Sequence, residues 1–301
     1  MSGIISWKLY CRRGRPWEKY KDITEKILED YNDVFADIIN TILFKGEQRV
    51  MPSALEDLAV HSQYRANDAA IHEQERDVLK RWKDCNVELA ICGIENQTKI
   101  ERNMPFRIMA YDGAAYRSQL LEHQEQMLPV VTLVLYFGTN KRWDQPIRLK
   151  ELLSIPEGME EYINDYKIIV VNVAWLTDNQ IEMFQSDFKV VAKFFCEKRK
   201  DKDYIPKDRQ TIKHVDEVLK LLSVMTGDRR YEEILAMPGR KVKSMCDVAE
   251  RLENRGRMEG REEGQNALVK AVECLRQGKS DKDILALGID EKTLALAKTI
   301  K

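Results

Sequence analysis

Val87-Glu-Leu-Ala-Ile-Cys-Gly-Ile-Glu-Asn-Gln97 is the stretch that decides the fold. From Val87 to Ile94 it alternates like a half-buried strand, so Val87, Leu89, Ile91, Gly93, Glu95 and Gln97 share one side. Upstream, Ala69 to Trp82 reads two ways. Ile71, Val78, Leu79 and Trp82 suit a helix, whereas Arg76 to Trp82 facing Val87 to Ile94 across Lys83-Asp84-Cys85-Asn86 suits a hairpin. Downstream, Met104-Pro105-Phe106-Arg107 opens a helix that runs to Gln126 and carries Arg107 and Tyr111 one turn apart. Pro129 to Gly138 then has the near-continuous Val/Leu content of a strand covered on both faces. Strand, helix and buried strand predict a right-handed crossover within one sheet.

Farther out, Lys19 to Phe44 carries apolar residues at spacings of three and four, from Ile23 through Ile42, and predicts a long amphipathic helix. Glu29, Asp33 and Asp37 recur alongside it, and the reading preferred for them is a solvated face, with a metal site as the alternative. Residues 1–18 hold Trp7, Arg12, Arg13, Arg15 and Trp17; a poorly ordered basic extension is expected there, with a nucleic-acid-touching arm as the alternative. Gln48 to Asp68 reads as irregular. Asn140 to Asn164 reads as a loop-rich connection, Tyr166 to Trp175 as a strand, and Asp178 to Arg199 and Ile212 to Met225 as helices. The expected fold class is therefore α/β, with residues 19–240 as the main domain and 241–301 as a charged helical tail. In that tail Gly256, Gly260 and Gly264 share one helix face among charges, which suits an oligomerising helix or a flexible joint. Ser280-Asp-Lys-Asp283 resembles a capping box that starts the first helix of a small terminal unit.

Composition narrows the function classes. Charged residues make up 33%, but 49 Lys+Arg nearly balance 50 Asp+Glu, so any nucleic-acid surface must be a local patch. The longest apolar run, Leu128 to Phe137, is too short for a membrane span. The six cysteines are scattered without a CxxC pair, which points to reduced thiols and a cytoplasmic protein. Scattered cysteines and histidines also argue against structural zinc.

The central segment suits phosphodiester chemistry. Hydrolysis needs an activated water and neutralised phosphate charge, and magnesium held by two carboxylates supplies both. Glu95 is the first candidate ligand, from the strand end. Asp77 is the second on the hairpin reading, with Asp84 in the turn as runner-up. Gln97 points to the side of Glu95 and can orient a water or a phosphate oxygen, though without a lysine's charge. Arg107, near a helix N-terminus, is placed for phosphate, and Tyr111 for bracing it.

These residues also carry a resemblance. Glu75-Arg-Asp-Val78, Gly93-Ile-Glu-Asn-Gln-Thr98, Met104-Pro-Phe-Arg107 with Tyr111-Asp-Gly113, and Pro129 to Gly138 resemble the bacterial recombination-promoting nuclease and putative transposase family, a branch of the PD-(D/E)XK nuclease superfamily. The similarity runs from about Tyr20 through Met225, weakly including the tail and Leu287-Gly288-Ile289. It implies a restriction-endonuclease-like mixed sheet flanked by helices, with a helical C-terminal extension. It further implies magnesium-dependent DNA cleavage, with manganese as a possible substitute, linked to recombination or mobile elements. Asp77 matches the motif aspartate, Glu95 the Glu of the Glu-x-Lys signature, and Gln97 stands where many members carry lysine. DNA is the expected partner, with self-association through the C-terminal helix and no membrane. Two rival expectations are a catalytically degenerate binding module of the same fold and a scaffold built around the tail.

Overall fold

The computed structural model describes residues 28–58, 61–65, 71–75, 77–84, 87–122, 126–237 and 242–300. The basic extension 1–18, residues 19–27 of the expected first helix and Arg76 lie outside them. The chain divides into two compact units, 1–245 and 246–301.

The larger unit is built on a five-stranded mixed sheet. Its strands are β1 (Leu55–Asp57), β4 (Val78–Asp84), β5 (Val87–Gln97), β6 (Val130–Tyr136) and β7 (Ile169–Asn172), in the order β1-β4-β5-β6-β7. A separate pair, β2 (His61–Arg65) and β3 (Ile71–Glu75), is antiparallel. β4 and β5 form the hairpin alternative of the sequence reading, with Val78 opposite Ile94 and Asp84 opposite Val87. β5 and β6 are parallel, as are β6 and β7. The expectation of an irregular Gln48–Asp68 is corrected: β1 and β2 fall within it, because β1 pairs with β4 and backbone groups at a sheet edge gain ladder partners there.

Two helices cover the centre of this sheet from opposite sides. α1 (Asn32–Leu43) lies on the side of Lys80 and Asn96, and buries Val34, Phe35, Ile38 and Ile39. α2 (Met104–Leu121) lies on the side of Glu95 and Val134, where Met104, Ile108, Tyr111, Val134 and Ile168 form one apolar cluster. The position of α2 is pinned by polar contacts as well. Thr132 Oγ1 donates to Asp112 Oδ1 at 2.5 Å, the Tyr166 hydroxyl donates to Asp112 Oδ2, and Gln119 exchanges hydrogen bonds with the backbone of Leu128 at 2.7 and 3.2 Å.

The helix expected over Asp178–Arg199 is two, α3 (Asp178–Met183) and α4 (Phe188–Lys200). The break at 184–187 has a cause: buried Asp37 accepts the N–H groups of Gln185 at 2.9 Å and Ser186 at 2.7 Å. Helices α5 (Val215–Thr226) and α6 (Arg230–Ala236) follow. β7 is shorter than expected, giving way to a 3-10 turn at Val173–Trp175.

The smaller unit takes up most of α7 (Met245–Arg276), then α8 (Asp281–Ala286) and α9 (Glu291–Ile300). Its own core joins Ala271, Cys274, Leu275, Ile284, Ile289, Leu294 and Ala297. The capping box is present at Ser280, with Asp283 in the place of Glu or Gln. Among the described residues no helix is long and apolar enough to cross a membrane.

Candidate functional site

The end of the β4–β5 hairpin gathers the candidate residues. Because side chains alternate along β5, Glu95 and Gln97 turn toward α2 while Ile94 and Asn96 turn toward α1. Glu95 is fully buried, Asn96 nearly so. Asp77 immediately precedes Val78, whose partner is Ile94, so it stands beside Glu95 at the end of the ladder. It is buried, and its Oδ2 accepts the backbone N–H of Asn96 at 2.6 Å. Asp84 lies at the opposite end of the same hairpin, paired with Val87. At about 3.3 Å per residue that is roughly 23 Å along the strand, too far to share a metal ion with Glu95. Of the two aspartates, only Asp77 is brought to Glu95.

Gln97 Nε2 donates to Glu95 Oε1 at 3.1 Å. The same carboxylate oxygen meets the Arg107 guanidinium in an ion pair. Arg107 sits in the first turn of α2, and Pro105 at the helix start fixes the direction from which it reaches the sheet. Its Nε donates to the Tyr111 hydroxyl at 2.7 Å, its Nη1 lies 3.2 Å from Glu101 Oε2, and its guanidinium carbon is 5.5 Å from the Tyr111 ring centre. Burial alone would lower the Arg107 pKa, but the charges of Glu95 and Glu101 and the Tyr111 contact override it and hold the guanidinium charged. Burial pushes the Tyr111 phenol up to about 12; Glu95 and Asp77 add to this and Arg107 opposes it.

Glu29 and Asp37 are the residues whose expected setting is overturned. Both are buried rather than on a solvated face, because the helical residues 28–29 and α1 turn these two side chains against protein. Glu29 Oε2 accepts from the Asn96 side-chain amide. Among the described residues its Oε1, like Asn96 Oδ1, is buried without a hydrogen-bond partner. Burial holds the Glu29 carboxyl well above the ordinary range; the Asn96 hydrogen bond counteracts this, and Asp77 and Asp30 reinforce it. Sequence reasoning left Asn96 out of the site altogether. Its only signal was its place between Glu95 and Gln97, where alternation sends it to the other face.

The donor chemistry suits a small hard cation. Asp77 and Glu95 bring two carboxylates against the one guanidinium of Arg107. Among the described residues no three of His, Cys, Asp and Glu close into a metal cage. Magnesium needs none, since it binds through one or two carboxylates and keeps several waters.

Residues 79–225 match the family model described as "Putative transposase, YhgA-like". Over those residues the chain is similar to that family. The matched segment spans nearly half of the chain. It starts two residues after Asp77, contains Glu95, Gln97, Arg107 and Tyr111, and leaves out Glu29. No curated protein and no solved structure matches the chain.

Proposed function

We propose that the protein is a magnesium-dependent DNA endonuclease of the PD-(D/E)XK type, tied to recombination or mobile-element activity as the family description suggests. The observation that carries this reading is the meeting of Asp77, Glu95, Gln97 and the Arg107–Tyr111 pair at the end of one hairpin. Asp77 and Glu95 would hold the ion, with Mn2+ as a substitute for Mg2+. When bound, it would neutralise phosphate charge and lower the pKa of a bound water. Gln97 would orient the attacking water by hydrogen bonding. Arg107, held charged by its acidic neighbours, contacts the phosphate and leaves Glu95 to do so, a guanidinium and a phosphate being well matched in geometry. Tyr111 stays a neutral phenol at neutral pH and keeps Arg107 aimed.

A second reading is a catalytically degenerate fold that binds nucleic acid without cutting it. It is favoured by the Arg107–Glu95 ion pair, which occupies the ligand carboxylate, and by glutamine in place of lysine at position 97. Plasmid cleavage with Mg2+ or Mn2+, run beside Glu95→Ala and Asp77→Ala proteins purified identically, separates the two. The nuclease reading expects cleavage by the wild type and a loss of about 100-fold or more in each variant, the scale of removing one catalytic electrostatic group. DNA binding without cleavage by any of the three would move the assignment to the binding module. Equal cleavage by all three would dismiss the site.

A further inference from the structure

We infer that Asn96, tethered by Glu29, is a positioning residue: from the far face of the sheet it fixes Asp77 and Glu95 for the metal ion. The inference rests on the nuclease reading. β4 and β5 pair only as far as Val78 and Ile94. Beyond that point Glu95, Asn96 and Gln97 keep β6 on one side, through Val134, Leu135 and Tyr136, while the β4 ladder has ended on the other. There the Asp77 carboxylate stands in for the ladder, its Oδ2 accepting the Asn96 N–H at 2.6 Å. The peptide that carries this N–H is the one that joins Glu95 to Asn96. A rotation of that single peptide would therefore turn both candidate ligands.

What holds Asn96 lies on the α1 face. Its side-chain amide donates to Glu29 Oε2, and both residues are buried, Glu29 fully and Asn96 at 5% exposure. Among the described residues Glu29 Oε1 and Asn96 Oδ1 have no partner, so this one bond is the polar tie between the two side chains. Buried away from solvent, neither can exchange it for a bond to water. Glu29 is anchored in its turn. Lys80, buried on the same face as Asn96, donates from Nζ to the Asp30 carbonyl at 2.8 Å and ion-pairs with Asp57 of β1. The Tyr31 N–H closes on the carbonyl of fully buried Leu28 at 3.3 Å. The contacts thus run from Lys80 through residues 28–31 to Glu29, Asn96 and Asp77, which lies three residues before Lys80. They form a closed brace around the end of the hairpin. Glu29 acts without touching the ion, as partners that orient a metal ligand do; losing such a partner typically lowers metal affinity about 10- to 100-fold.

Titration of the full chain with Mn2+ in the absence of DNA, followed by the EPR signal of the free ion, tests the inference beside thermal unfolding in chelator. The wild type should bind Mn2+, and Asp77→Ala should lose that binding. Glu29→Leu removes the acceptor at similar volume and should raise the Mn2+ Kd at least about tenfold. Glu29→Gln keeps an oxygen for the Asn96 amide and should stay within about threefold of the wild type. DNA affinity in chelator should change less than about twofold in both, since Arg107 reaches its place from the opposite face and the count of phosphate contacts is unaltered. A merely structural Glu29 would lower the melting temperature of Glu29→Leu and leave its Mn2+ Kd unchanged below the transition; that result overturns the inference. A loss in Glu29→Gln as large as in Glu29→Leu also overturns it, because charge rather than the tether would then matter. Should Glu29→Leu fail to fold, Asn96→Ala carries the same expectation, since it keeps the backbone N–H to Asp77 and loses only the tether. Mn2+ binding that depends on Asp77 but not on Glu29 or Asn96 overturns the positioning role and leaves the nuclease site standing. A wild type that binds no Mn2+, or binds it without Asp77, overturns the site and this inference with it.

Discussion

The acids at the start of the larger unit and the charges along α7 are written in the same spacing and meet opposite surroundings. Glu29, Asp33 and Asp37 recur every fourth residue. Glu29 and Asp37 are buried, one against Asn96 and the other against the N–H groups that open α4. Asp33, between them, pairs with Lys213 at 2.6 Å and His214 at 3.2 Å. In α7, Arg255–Glu259 and Arg257–Glu253 pair across one turn at 2.6 Å, and residues 256–266 are exposed around the whole helix. Periodic charge marks a helix face without saying what the face meets. On α7 the charges satisfy one another in water, which also lets the helix run through Gly256, Gly260 and Gly264. In the first unit each acid is answered by a distant segment, and burial makes each answer matter more.

Substitutions in the two regions sharpen that contrast. The largest expected effect is at Asp37. Asp37→Ala leaves two N–H groups without their acceptor and should destabilise the larger unit by about 2–3 kcal/mol, read as a drop in the urea midpoint. An effect under 0.5 kcal/mol would place Asp37 with the α7 charges.

Glu29 should show a smaller effect, and one that depends on pH. Its folded pKa is raised above the unfolded value, so the folded state holds a proton that the unfolded state releases. The stability this carries is fully present below the unfolded pKa of about 4.3 and is lost as pH rises through the folded value. Glu29→Gln imitates the protonated form. In the presence of a chelator it should match the wild type near pH 4 and be the more stable of the two at pH 7.5. Equal stability of the two proteins at pH 7.5 would contradict the buried setting. The smallest effect is expected from Arg257→Ala, which removes an exposed pair across one turn and should change stability by less than about 0.5 kcal/mol.

Much of the fold was legible because it repeats. Alternation in β5, the unbroken apolar run of β6 and the proline-led start of α2 each reflect a face that is buried along its whole length. The hairpin was legible as one of two readings, and the pairing of β4 with β1 and β5 decided it. The short strand β1 and the break between α3 and α4 were not legible, since their partners lie far away in the chain.

The sequence by itself determined which side of β5 each residue would take, because the two-residue period of a strand is local geometry. It placed Glu95 and Gln97 together, and Arg107 one turn from Tyr111. Only the tertiary structure brought Asp77, and not Asp84, beside Glu95, turned Glu29 and Asn96 toward each other and tied Arg107 to Glu95. Those outcomes depend on which segments pack together, and burial and electrostatic coupling exist only once segments distant in sequence have met.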